Sequence, residues 1–209
     1  MRSIVVLLSC LLAYTAQASE EAMERFTRIS ADPVLREQAY EAAQERIRFC
    51  VACHGRDGNS TRERIPNLAQ QSPIYLFNTF EKFASGERVD YVMSQLAQVL
   101  TLEDRVNIAI YFGQQKVKPH AGEVDETLRA HGETIFARAC VACHGSQGQG
   151  RDDMPRLAGQ PSTYVRKALT RFRDKDPSRL GSVMTAIAEN LTDHDIQALA
   201  TYVETLSTP

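Results

Sequence analysis

Beyond residue 18 the 209-residue sequence has no apolar run approaching the roughly 20 residues that a membrane-spanning helix needs, so no later segment is expected to cross a bilayer. It has no basic excess: 24 Lys and Arg stand against 26 Asp and Glu, interspersed along the chain, which offers no footprint for nucleic acid. No stretch alternates apolar and polar in the manner of a half-buried strand, which leaves helices as the expected building material. Cysteine is scarce, five in all, and its placement says more than its number. The 43% apolar and 24% charged make-up is that of an ordinary globular protein, long enough for one large or two small domains.

The first eighteen residues differ in kind from the rest. Arg2 gives a short basic start, Ile4 to Leu12 form an apolar run, and Ala16-Gln17-Ala18 presents the small-x-small pattern that signal peptidase accepts. Residues 1–18 therefore read as a signal peptide cleaved before Ser19, with export to the periplasm. The apolar run is too short for a retained anchor, and too few apolar residues precede Cys10 for a lipoprotein leader. The mature chain carries a formal charge of −3.

Four cysteines remain, and they fall in two copies of one hexapeptide, Cys-Val-Ala-Cys-His-Gly, at 50–55 and 140–145. Two disulfides are the ordinary expectation for an exported chain, but a histidine directly after each pair points elsewhere. On a helical turn, thiols three apart share a face and reach the two vinyl groups of one porphyrin, while the next residue brings an imidazole under the ring. Two covalently bound haem c groups are expected, held by Cys50, Cys53, Cys140 and Cys143, with His54 and His144 on the irons. A shared four-cysteine zinc site gives no reason for the histidines, and a thioredoxin-like dithiol wants a preceding strand.

The duplication extends well beyond the cysteines. Pro66-Asn67-Leu68-Ala69 answers to Pro155-Arg156-Leu157-Ala158, Gln71 to Gln160, Tyr75 to Tyr164, Phe83 to Phe172, Val92-Met93 to Val183-Met184, and Asp104 to Asp195. An all-α fold of two tandem haem domains related by internal duplication follows, with domains over 19–119 and 120–209 joined near Lys116 to Ala121. Helices are expected over about Pro33 to Cys53 and Glu123 to Cys143. Another should start at Pro73 with Leu76, Phe77, Phe80 and Phe83 along one face. The last helix of each half should be launched by Thr101 with Asp104 and by Thr192 with Asp195.

An iron with two protein ligands has no position free for oxygen or peroxide, so the sixth ligand separates carrier from catalyst. Only Met93 and Met184 occupy matching positions, 39 residues after His54 and 40 after His144; the plainer alternative makes them core side chains. Met154 aligns with Ile65, and Met23 lies outside the repeat. His120, His131 and His194 have no histidine at their repeat positions and read as surface or cap residues. The different neighbours and preceding loops of the two methionines predict unequal potentials.

In these motifs, in the Pro-x-Leu-Ala-x-Gln segments, in Phe172-Arg173-Asp174 and in the run from Met184 to Asp193, the chain resembles the cytochrome c4 family, di-haem members of the class I cytochromes c, over about 39–206. The resemblance implies a small helical fold around each haem, haem edges facing across the pair, and electron transfer from a quinol-oxidising complex toward a terminal oxidase. It implies distal ligands at Met93 and Met184, and imidazoles oriented by the carbonyls of Pro66 and Pro155. The first half departs from the pattern, with Ala42 and Arg46 where the second has Gly132 and Phe136. Residues 19–38 have no counterpart in the second half.

The expected function is thus a non-enzymatic electron carrier, freely diffusing or peripherally attached to the membrane, serving redox partner proteins. One alternative is a tightly bound electron-transfer subunit of a dehydrogenase or oxidase; another is a di-haem peroxidase, which needs one iron left open.

Overall fold

A computed structural model describes residues 20–21, 23–119, 122–179 and 181–207. The expected leader, Cys10, the cleavage point and His120 lie outside these. Among the described residues there is no strand beyond one isolated bridge, Arg151 to Met154, and the fold is all-α.

The first half contains α1 (residues 23–31), α2 (Pro33–Arg46), α3 (Arg48–His54), α4 (Pro73–Ser85), α5 (Tyr91–Val99) and α6 (Leu102–Gly113). The second repeats the plan with α7 (Glu126–Ala139), α8 (Val141–His144), α9 (Ser162–Arg173), a short 3₁₀ turn (Pro177–Arg179), α10 (Met184–Ala188) and α11 (Asp193–Thr205). In each half the last helix packs on the first long one, α6 on α2 and α11 on α7.

Helix starts follow the local chemistry. Asp32 caps α2 ahead of Pro33, and Asp125 caps α7, each accepting two backbone N–H bonds. Thr101 and Thr192 each form a full capping box with the aspartate three residues on. Ser72 caps α4, and Pro73 follows at the first position, where a missing N–H costs nothing. Leu76, Phe77, Phe80 and Phe83 are all buried on one face of α4, as their spacing predicts.

The structure departs from the sequence reading at the motifs. The stretch from Pro33 to His54 is two helices, because Cys50 N–H bonds to the Ile47 carbonyl at 2.7 Å, a tighter i to i+3 contact than the helix on either side. Ile47 is 2% exposed, so the bend is held in the core and not at a glycine or proline. The second half does the same at Cys140, between α7 and α8.

The apolar interior forms two clusters. One runs from Phe26 to Phe112, the other from Ile135 to Val203. Residues 19–38, for which the sequence offered no account, find one here in part: Phe26 and Ile29 of α1 are each 5% exposed inside the first cluster.

Between the halves runs a reciprocal hydrogen-bonded clasp. The side chain of Gln71 accepts from Arg156 N–H at 2.7 Å and donates to the Arg156 carbonyl at 3.0 Å. Gln160 accepts from Asn67 N–H at 3.0 Å and donates to the Asn67 carbonyl at 2.8 Å. Asn67 and Arg156 are repeat partners, as are the two glutamines, so the contact is two-fold in design. Both glutamines are 4% exposed, where an unpaired amide would be costly and a fully paired one fixes geometry.

Candidate haem sites

Each motif sits where two helices meet. Cys50 is buried and Cys53 half-buried on α3; Cys140 is half-buried and Cys143 exposed at α8. Burial pushes the Cys50 thiol up to about 12, with Cys53 adding to it, and the Cys140 thiol up to about 11. None of the four cysteines is paired in a disulfide, so the ordinary two-disulfide expectation does not hold. Among the described residues no cysteine belongs to a cluster of three or more metal-ligating atoms, which leaves no shared zinc site either.

The histidines are placed alike in both halves. His54 is 7% and His144 5% exposed. The Nδ1–H of His54 donates to the Pro66 carbonyl at 2.9 Å, and that of His144 to the Pro155 carbonyl at 2.9 Å. A neutral imidazole with Nδ1 protonated keeps the lone pair on Nε2, the form in which imidazole binds a metal. Burial holds both side chains below the usual histidine range, which favours that neutral form. After each histidine the chain turns out of the helix through a glycine at positive φ, 77° at Gly55 and 81° at Gly145; at Gly55 a Cβ would lie 2.3 Å from the Asn59 carbonyl oxygen.

Met93 lies in the first turn of α5, half-buried and packed against the first core cluster; Met184 opens α10, also half-buried. Met154 is tied into the isolated bridge, and Met23 belongs to α1.

A donor cluster that sequence reasoning missed lies beside the clasp. Arg88 bonds to the hydroxyls of Tyr75 at 3.5 Å and Tyr164 at 3.3 Å, one from each half, and stacks over Phe83 at 4.6 Å. Its repeat partner Arg179 stacks over Phe172 at 5.1 Å, and its charge, with that of Arg88, holds the Tyr164 hydroxyl below the usual phenol range. The only available signal was that Tyr75 with Tyr164 and Phe83 with Phe172 are repeat pairs; nothing in the sequence showed that they meet. Guanidinium and phenol donors gathered around hydroxyls suit carboxylates of the kind a haem carries.

The cytochrome c family model matches residues 130–207. Cytochrome c4 from Pseudomonas aeruginosa is 36% identical over 177 residues, covering 79% of this chain and 87% of that one. The chain belongs to the cytochrome c4 family. The crystal structure of reduced recombinant cytochrome c4 from Pseudomonas stutzeri matches with a TM-score of 0.73 at 33% identity, over 80% of this chain and 98% of that one. A thiosulfate dehydrogenase electron acceptor from Thiomonas intermedia is 30% identical over 181 residues, covering 79% of this chain and 82% of that one. As a member of the cytochrome c4 family, the chain is a di-haem electron-transfer protein with two covalently bound haem c groups, acts with redox partners, and is not an enzyme.

Proposed function

We propose that this chain is a periplasmic carrier that takes electrons from a quinol-oxidising complex toward a terminal oxidase, in which Cys50, Cys53, Cys140 and Cys143 would tether the haems and His54, Met93, His144 and Met184 would bind the irons. The observation that carries the reading is the pair of imidazoles in repeated motifs, each fixed by a proline carbonyl with Nε2 left to bind. Bound haem supplies a one-electron ferric–ferrous couple. The chain's own residues do the rest: the proline carbonyls hold each imidazole in one tautomer, and the methionine thioethers would bind the irons and favour the ferrous state. Arg88, Arg179, Tyr75 and Tyr164, gathered where the halves meet, would supply donors for haem carboxylates. We place the domains at 19–119 and 120–209.

Among the described residues no helix is long and apolar enough to cross a membrane. Exposed apolar side chains stand next in sequence to the tethering and distal residues: Phe49 before Cys50, Val92 before Met93 and Val183 before Met184. Such side chains suit brief docking against a protein partner.

A second reading, a carrier bound to or dedicated to one dehydrogenase, is favoured by the similarity to the thiosulfate dehydrogenase electron acceptor. Redox titration and partner assays of the haem-loaded protein separate them. Two unequal midpoints, with half of the far-red sulfur-to-iron absorption lost in each of Met93→Ala and Met184→Ala, are expected, together with reduction by quinol through the quinol-oxidising complex. Recovery of the chain only within a dehydrogenase complex overturns the diffusing-carrier reading. An unchanged far-red band in either variant overturns that ligand.

A further inference from the structure

We infer that His131, His194 and Asp195 form a surface site for a zinc-type divalent cation in the second half, apart from the haem motifs. The crossing of α7 and α11 brings them together. His131 stands on α7, and His194 and Asp195 are the second and third residues of α11. One ligand atom from each lies within 4.8 Å of the others. His131 Nε2 is 2.8 Å from Asp195 Oδ1, and the two imidazole rings stand 4.9 Å apart between centroids, tilted by 36°.

The carboxylate is already aimed. Asp195 Oδ2 accepts from the Thr192 backbone N–H at 3.0 Å and from its hydroxyl at 2.7 Å, which leaves Oδ1 facing the imidazoles. A ligand oriented by an outer hydrogen bond is the arrangement metal sites use to hold their first shell. Two imidazole nitrogens and one carboxylate oxygen select borderline cations such as Zn²⁺, Cu²⁺ or Ni²⁺ over Mg²⁺ or Ca²⁺, which want all-oxygen cages. With zinc–nitrogen bonds of about 2.0–2.1 Å, tetrahedral ligand atoms sit about 3.3 Å apart. The His131–Asp195 pair is near that separation, and His194, exposed, closes the remainder by side-chain rotation. A fourth position is left to water. The helix dipole opposes a cation at this end of α11 but is weak where the end is exposed.

The repeat supplies an internal control. At the start of α6 the matching residues are Glu103 and Asp104, which pair with Arg25 at 2.8 Å and Arg46 at 3.0 Å. There arginines neutralise the acids; in the second half imidazoles take their place, and the only three-ligand cluster among the described residues appears.

The test uses the haem-loaded chain, whose cysteines are tied up as thioethers and do not compete. After chelator treatment and buffer exchange, the protein is titrated with Zn²⁺ by calorimetry, with Mg²⁺ as control. One zinc per chain is expected, with no uptake of Mg²⁺. His194→Ala keeps the His131–Asp195 bond and should weaken zinc binding at least tenfold with an unchanged haem spectrum; should zinc bind elsewhere as well, the variant takes up one ion fewer than the parent. A zinc-induced rise in melting temperature should likewise vanish in His194→Ala. No zinc uptake by the parent protein, or equal uptake by the variant, overturns the site.

Discussion

In the first half, Arg46 and Arg25 reach the start of α6 and pair with Asp104 and Glu103; in the second, His131 and His194 occupy the same corner around Asp195. The helix crossing beneath differs too. At Gly132 a Cβ would lie 2.1 Å from the Ala198 carbonyl oxygen, so α7 and α11 touch backbone to backbone; in the first half Ala42, the position expected to match, is exposed, and the buried small residue of α2 is its neighbour Ala43, whose methyl is accommodated at 0% exposure. The first half, with a looser crossing, recruits α1 to complete its core; among the described residues the second has no such cover and closes more tightly. The same cofactor motif is thus supported by two packing solutions: one adds a helix, and the other brings two helices closer.

The comparison breaks most visibly at Phe26. Removing this buried ring by Phe26→Ala should cost about 3–5 kcal/mol, with faster amide hydrogen exchange in α2 and α6 but not in α7 and α11. Equal loss of protection in both halves would mean that α1 braces the whole molecule. Next, Gly132→Ala should cost about 1–3 kcal/mol by overpacking, measured by urea unfolding of the haem-loaded protein, despite the better helix propensity of alanine. Ala43→Gly should also destabilise, by about 1 kcal/mol or more, through helix propensity and the loss of a buried methyl. A neutral or stabilising effect of either substitution would show that the two crossings are alike. The smallest effect is in the acid range. The hydrogen bonds from the Thr192 side chain and backbone, with His131 beside them, hold the Asp195 carboxyl well below its ordinary value of 3.8, at about 2. A depressed carboxylate pKa stabilises the fold above the unfolded value and stops doing so as pH falls through the folded one. In metal-free buffer, thermal melts should therefore lose a component between about pH 4 and pH 2 that Asp195→Asn lacks.

Much of this was legible in the sequence. The doubled hexapeptide, the capping boxes at Thr101 and Thr192, the start at Pro73 and the buried face of α4 are local patterns whose physics acts within a few residues, and each stands as expected. The bend at Ile47 was not, because a buried isoleucine in an ordinary helical conformation leaves no mark of the kind glycine or proline leaves. The packing of α1 was hidden because nothing in the second half corresponds to it. The Gln71 and Gln160 contacts escaped for another reason: they join side chains to backbone 85 and 93 residues away, and no periodicity encodes that. His131 and His194 were read singly as surface or cap residues; their nearness follows only from how α7 crosses α11.

The glutamine clasp has a consequence for how such a molecule can change. Each half offers the same amide and receives it on the same stretch of backbone, so the surface is complementary to itself, and two unlinked copies of one half could join without any new residue. Covalent linkage turns that meeting into an intramolecular event at high effective concentration. A sequence change beside one amide is then buffered by its untouched twin, which leaves the flanking loops and corners of the two halves free to diverge while the spacing of their redox centres is kept.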